Sequence, residues 1–303
     1  MDVTPYPVCR LLWAPLLLAG AVCAHAQEFT GTLGKIAQTR TIVVGYHEST
    51  SPFTYSVDEG KPLGYSYDFA LKIADAIKRE LKLPALNVKP MAFTTQNRFP
   101  MVQNKIIDII CGATTHTRER ENLVTFSNTI FVAGAKLMTR KDSGIKDYSD
   151  LTGRTVVTFA ASTSEKMLRK MNDERNMRIN IVSTFDRNSS PFLVLQAGHA
   201  DAYMMDDVLL FNAVHQTWKP DDWVVTGTPP SFEAYACFMQ RGDNAFKKVV
   251  DQEITRIMKS GEAKAIYQKW LMSPIPPKSV NYAFPMSAAM VDLFDRPNDQ
   301  PFY

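Results

Sequence analysis

An alternation, run through twice, between short β-branched stretches and longer stretches with helical periodicity constrains this chain more than any other feature. In the first round "TIVVGYH" (41–47) reads as a strand, and "YSYDFALKIADAIKRELKL" (65–83) puts Phe69, Ile73, Ile77 and Leu81 on one helical stripe that Pro84 ends. "LNVKPMAF" reads as a second strand, "TQNRFPMVQNK" as a short helix and "IIDIICG" as a third strand. The second round opens at "RTVVTFAA" (154–161) and runs through the helix "TSEKMLRKMNDER", the strand "RINIVST", the helix "SPFLVLQAGH", the strand "DAYMM" and a further helix. Parallel strands need crossover connections, so each round builds a strand layer covered by helices.

Between the rounds lies "FVAGAKLMTRKDSGIKDYSDLTG", a strand-like run followed by a polar loop; after them comes the alternating strand "SFEAYACFMQR" (231–241) and the helix "NAFKKVVDQEITRIMKSG". The chain thus leaves one lobe, builds a second and returns. This predicts an α/β protein with two mixed sheets flanked by helices and joined by a two-strand hinge. Lobe 1 takes residues 27–134 and 232–303, and lobe 2 takes 135–231. A crevice between two such lobes is a usual place for a small polar ligand. "SPIPPK", near residue 275, reads as an extended tail over the surface.

The N-terminal stretch has one basic residue, Arg10, an apolar run from Leu11 to Ala24, and the small-x-small triplet Ala24-His25-Ala26. It reads as a signal peptide spanning residues 1–26, removed on export to the periplasm. Val22 and Gly20 are poor flanks for acylation at Cys23, and the run is short of the ~20 residues that a membrane span needs. The remaining chain of about 277 residues suffices for two lobes. It retains Cys111 and Cys237, which in an oxidising compartment either form a disulfide or stay as buried thiols; their spacing does not decide. A net charge of +3, spread along the chain, gives no nucleic-acid or membrane footprint.

Chemistry-bearing residues gather at strand ends. "CGATTHTRER" (111–120) follows the third strand, which puts Ala113 to Thr117 at the carboxyl edge of a parallel layer, where such folds bind ligands. Thr117 fits the N-cap of a short helix, whose free N–H groups favour anions. Arg120 in that first turn opposes the helix dipole, which is explained if it faces a carboxylate, either on a ligand or on a surface acid. Ser162 to Glu165, "STSE", is a capping box at the matching edge of the second round. "DAYMMDD" leaves Asp206 and Asp207 past another strand end, one suited to capping a helix and the other to receiving an ammonium group.

In collinear order, "IVVGYHESTSPFTY", "TTQNRFPMVQN", "CGATTHTRER", "FSNTIFV", "DAYMMDDVLL", "EAYACFMQR", "SGEAKAIYQKWLMSPIPPK" and "RPND" resemble the periplasmic solute-binding proteins of polar amino-acid ABC importers (family 3), in particular their acidic-ligand branch. The similarity runs from about Ile36 to the C-terminal region. It implies the type II periplasmic binding fold, a monomer, an ABC permease as partner, and glutamate or aspartate as ligand. It further implies that Thr115 and Arg120, with backbone near Ala113, bind the α-carboxylate. Asp206 would take the α-ammonium, Ser162 and Thr163 would complete that end, and Thr95 and Arg98 would take the side-chain carboxylate. Two positions depart from the pattern: "GYHES" has His47 where relatives have the arginine of "GHRES", and "DRNSS" has Arg187 near the histidine of "DHGDS". The pair reads as an exchange of arginine and histidine across the cleft. Tyr46, Phe53 and Tyr65 are the candidate aromatic wall, with the core as the other place for Phe53 and Tyr65.

Charge arithmetic favours an acidic ligand. Arg98, Arg120 and Arg187 against Asp206 leave the pocket cationic, and a neutral amino acid would strand one desolvated arginine at a cost of several kcal/mol. The competing class is an exported, dehydratase-like enzyme of the same fold acting on a carboxylated substrate, with His47, His116 or Glu48 as acid or base. A sensory binding protein is a third. No G-x-S-x-G, H-E-x-x-H, C-x-x-C or P-loop pattern occurs, so hydrolase, zinc, redox and nucleotide mechanisms lack their parts, and neither cofactor nor metal is expected. If His47 and Arg187 have exchanged roles, the double variant His47→Arg with Arg187→His retains glutamate binding in a calorimetric titration.

Overall fold

The computed structural model describes residues 1–4, 29–185 and 190–301. The signal-peptide reading falls almost wholly outside the described residues, as does Arg187. A first helix α1 (Gly31–Thr39) leads into β1 (Thr41–His47). A three-stranded antiparallel sheet follows, β2 (Ser49–Thr50), β3 (Thr54–Asp58) and β4 (Lys61–Leu63), which the pattern reading did not foresee because its strands are too short for periodicity. Then come α2 (Tyr65–Glu80), β5 (Asn87–Phe93), α3 (Arg98–Gln103) and β6 (Ile109–Ile110). Gly64 starts α2 at φ 136°, where a Cβ would lie 2.2 Å from the Phe53 carbonyl oxygen, so only glycine fits the turn.

Seventeen residues form β7 (Val124–Arg140). The second round then gives β8 (Thr155–Phe159), α4 (Thr163–Arg175), β9 (Asn180–Thr184), α5 (Pro191–Gln196), β10 (Ala202–Asp206), α6 (Asp207–His215) and β11 (Trp223–Thr226). The chain closes with β12 (Phe232–Gln240), α7 (Asn244–Lys259), α8 (Glu262–Leu271) and α9 (Ala288–Asp295).

The strands order as β5-β1-β6-β12-β7-β10-β8-β9, with β11 also on β7. The pairs β1/β5, β1/β6, β8/β9 and β8/β10 are parallel, as their helical crossovers require. β12 runs antiparallel to β6 and β7, and β10 antiparallel to β7. The two mixed sheets share β7, which is too long to be covered by one set of neighbours. Up to Gly134 it pairs with β12, and from Ala135 with β10 and then β11. At that change of partner a Cβ on Gly134 would sit 2.9 Å from the Pro229 ring, so the site is closed to a larger residue without repacking.

Alternation along β1 assigns its faces. Ile42, Val44 and Tyr46 enter a core shared with Phe69, Ile73 and Ile77 of α2 and with Phe246, Val250, Ile254, Tyr267 and Trp270 of the returning chain. Val43 faces a second cluster with Phe93, Val102, Phe126 and Phe238. The returning C-terminal helices therefore complete the first core. Two further clusters cover the faces of the second sheet, one around Leu137, Val156 and Leu168 and the other around Val157, Phe192 and Trp223.

Cys111, just after β6, is bonded to Cys237 in β12, closing a sequence separation of 126 residues. The bridge fastens the strand that returns from the second sheet to the edge that carries Ala113 to Arg120. The Cys111→Ser/Cys237→Ser variant is expected to lose about 2–4 kcal/mol of stability against guanidinium denaturation at unchanged fold.

Candidate functional site

A cleft of about 1050 Å³ opens at the carboxyl ends of β1, β5, β6, β8, β9 and β10, lined from the first sheet by His47, Thr95, Arg98, Ala113, Thr115 and Arg120. From the second come Phe159, Ser162, Thr163, Tyr203 and Asp206. Every described residue that the resemblance assigned to the ligand, and His47, thus borders one cavity, the arrangement expected where strands of an α/β sheet end together.

Local structure explains the cluster at 113–120. The chain leaving β6 is stitched to β12: the Ala236 N–H donates to Thr114 O (3.2 Å) and the His116 N–H to Ala234 O (2.7 Å). Thr115 pairs with Tyr235 in an isolated bridge. Thr117 caps the following turn, a 3-10 turn over Arg120–Asn122, with its Oγ1 accepting from the Arg120 N–H at 3.3 Å. The Arg120 guanidinium folds back, Nη1 donating to Thr115 O at 2.8 Å. Arg98 is buried on α3, whose start is closed by reciprocal bonds between Thr94 and Asn97.

The two guanidiniums carry the electrostatics. Burial pulls Arg98 down from its ordinary value to about 9, and the nearby Arg120 adds to the shift; it stays charged at neutral pH. Burial lowers Arg120 as well, opposed by Glu233, Glu119 and Asp206. Arg98 Nε is buried without a hydrogen-bond partner, and among the described residues neither arginine belongs to an ion pair. Buried charges of one sign call for an anion.

Across the cleft the sign reverses. Asp206 precedes α6 and is 2% exposed; the Tyr235 phenol donates to its Oδ2, while Oδ1 is buried without a partner among the described residues. Burial first, and then Glu233, push its carboxyl well above the usual carboxylate range, with Tyr235 and Arg120 pulling the other way. Asp207, the first residue of α6, accepts from the Val208 N–H at 2.7 Å, and Asp206 at the N-cap makes no side-chain cap bond, so the expected capping by one of the two acids is not seen. Ser162 caps α4, its Oγ accepting from the Glu165 N–H at 3.0 Å. Glu165 reaches back one residue further than a standard capping box, to the Ala161 N–H at 2.8 Å.

Several expectations are corrected. Tyr46, Phe53 and Tyr65 lie in the first core, where the Phe53 and Tyr65 rings pack on Phe131 and Phe53 also meets Tyr235. The aromatic lining comes from Phe93, Phe159, Phe192, Tyr203 and Trp218. His116 stacks on Phe126 at 4.4 Å with Nε2 bonded to Glu121 at 2.8 Å, so it faces the core and not the cleft. "SPIPPK" does run over the surface, with Pro274, Pro276, Pro277 and Lys278 exposed, but Ile275 anchors it in the core, and Pro276, Pro277 and Lys278 border the cleft. Tyr235 and Glu233 were missed, because nothing local in "FEAYACF" shows which face meets Asp206.

An α/β protein of two linked sheets, with paired cations facing a buried acid across their common cleft, is a small-molecule binding protein by class. The chain belongs to the bacterial extracellular solute-binding proteins, family 3, whose sequence profile matches residues 42–273. It is 47% identical over 301 residues to the L-glutamate/L-aspartate-binding protein of Pseudomonas aeruginosa, covering 99% of this chain and 98% of that one. It is 44% identical over 269 residues to the glutamate/aspartate import solute-binding protein of Escherichia coli, covering 89% of each. Among solved structures it resembles a P235GK mutant of ArgBP from T. maritima, with TM-score 0.68 and 28% identity over 78% of this chain and 98% of that one.

The raised Asp206 carboxyl makes a signed prediction. A ligand ammonium placed against it lowers its pKa, so binding releases a proton between the bound and free values, and affinity rises with pH across that window. Calorimetry in buffers of different ionisation enthalpy should register this release in the wild type and lose it in Asp206→Asn.

Proposed function

We propose that this protein captures glutamate or aspartate in the cleft and delivers it to an ABC permease. The observation that carries the reading is the charge pattern: the buried Arg98 and the half-buried Arg120, neither in an ion pair among the described residues, face one buried acid, which mirrors a zwitterion bearing a second carboxylate. In this reading Thr115, Arg120 and the backbone at Ala113 hold the α-carboxylate, and Thr95 and Arg98 hold the side-chain carboxylate. Asp206 takes the α-ammonium, with Ser162 and Thr163 at the N-terminus of α4 completing the cage. His47 borders the same cleft, and Arg187, outside the described residues, would add a further cation. The names of the Pseudomonas and Escherichia relatives support this ligand class.

The mechanism is two-lobed closure about β7 and β12, with residues 27–134 and 232–303 as one lobe and 135–231 as the other. Ligand binds first to the arginine side, and closure brings Asp206, Ser162 and Thr163 onto it. Contacts that only the closed form makes set the shift in population. The protein acts as a monomer in the periplasm after removal of residues 1–26, and returns its ligand chemically unchanged. An enzymatic reading would need an acid or base aimed at a reacting carbon, and His116 is turned away from the cleft.

A thermal-shift panel of the common amino acids should give its largest rise with glutamate or aspartate, since a ligand bound only by the native state stabilises it. A single charge-assisted contact contributes roughly 1.5–3 kcal/mol, so Arg120→Ala should weaken binding by about tenfold to a few hundredfold in calorimetry. Unchanged affinity would remove Arg120 from the site.

A further inference from the structure

We propose that Phe99 is a positioning residue for anion recognition: its ring holds the Arg98 and Arg120 guanidiniums together as an unneutralised pair, matched to a ligand with two carboxylates. The proposal rests on the acidic-ligand reading. The Arg98 Cζ lies over the Phe99 ring at 4.9 Å from its centroid, and the Arg120 Cζ at 5.6 Å. Both arginines line the cleft, whereas Phe99 does not, so the ring supports the cations from behind. Phe99 is itself held by Phe238 at 5.2 Å, and Phe238 by Phe126 at 5.8 Å. Phe126 in turn stacks on His116, which Glu121 fixes. The ring is therefore backed by an aromatic row that runs along one face of the first sheet.

A physical reason sets this ring apart from ordinary packing. Two like charges held close, one buried and one half-buried, repel and have lost much of their water, and something must offset that cost in the empty protein. A carboxylate would do so, but it would neutralise the cations and compete with the ligand. The negative face of an aromatic ring attracts both guanidiniums and leaves their N–H groups free to donate. Arg98 Nε, buried and unpartnered, is such a free donor. Leucine would fill similar space without the quadrupole.

The test compares wild type, Phe99→Leu and Phe99→Tyr, each checked by thermal melt. Glutamate affinity is measured by calorimetry, and the Arg98 and Arg120 side-chain proton signals by NMR of the ligand-free protein. Phe99→Leu should weaken glutamate binding by about fivefold to thirtyfold, while Phe99→Tyr, which keeps the ring, stays within about threefold of wild type. In wild type and Phe99→Tyr the arginine signals should be displaced upfield by the ring and should relax toward random-coil positions in Phe99→Leu. Equal losses in Leu and Tyr variants, no loss in Leu, or random-coil arginine signals in wild type would each overturn the proposal. If Phe99→Leu does not fold, the arginine signals of wild type and Phe99→Tyr still decide. A wild type that binds neither glutamate nor aspartate would sink the acidic-ligand reading instead, and the ring-shifted signals would then judge the pairing of the cations by themselves.

Discussion

The antiparallel ladder between β7 and β12 is the interaction on which the rest of the molecule depends. Its register puts Tyr235 opposite Phe131 and Glu233 opposite Ala133. Tyr235 also meets Thr115 in a bridge and donates its phenol to Asp206, so one residue touches both charged sides of the cleft. Beyond Gly134 the same β7 pairs with β10, placing Ala135 opposite Asp206. A slip of one residue in the ladder would turn Tyr235 and Glu233 to the opposite face and break that link. The disulfide from Cys237 to Cys111 ties the ladder to the edge that carries Arg120.

On this frame the cleft keeps charges that the empty protein does not satisfy. The buried Arg98 lies near the half-buried Arg120, and Asp206 is buried near Glu233 and Asp207. Such groups lower the stability of the unliganded state and are compensated when complementary charge arrives. The other ties across the cleft are weaker. Lys166 pairs with Glu119, both mostly exposed, and Gln96 donates to Phe185 O at 3.2 Å. Tyr282 from the C-terminal segment bridges Ser51 and Asn212 at 3.0 and 2.7 Å. The exposed Lys166–Glu119 pair contributes about 0–1 kcal/mol, whereas the bonds of the buried Tyr282 are neutral hydrogen bonds, each worth about 0.5–1.5 kcal/mol.

Long elements with clear periodicity were readable from the chain. The strand at 41–47 and the helix at 163–175 have the expected bounds, because each carries its own pattern and its own stop signal. Capping chemistry marked Ser162 and Thr117 correctly, although the helix after Thr117 is a single 3-10 turn. The expected third strand shrank to Ile109–Ile110: Asp108 still bonds to Val43 of β1, but beyond Cys111 the chain turns to β12, through Thr114 and His116. Misreadings cluster where distant segments meet. The surface segment "IPP" gave no sign that Ile275 would be buried, and His116 looked like a cleft residue until Phe126 stacked on it.

The sequence by itself determined the α/β layering, the return of the chain to its first sheet, and the strand-end positions where ligand groups gather. Those features are local: periodicity, caps and turn residues act over a few neighbours. Tertiary structure alone decided that Cys111 meets Cys237, that Tyr235 holds Asp206, and that one ring at Phe99 lies under two guanidiniums. Each of these is a contact across strand register or between elements far apart in the chain. Register is chosen by how whole faces pack, and no short stretch of residues carries that information.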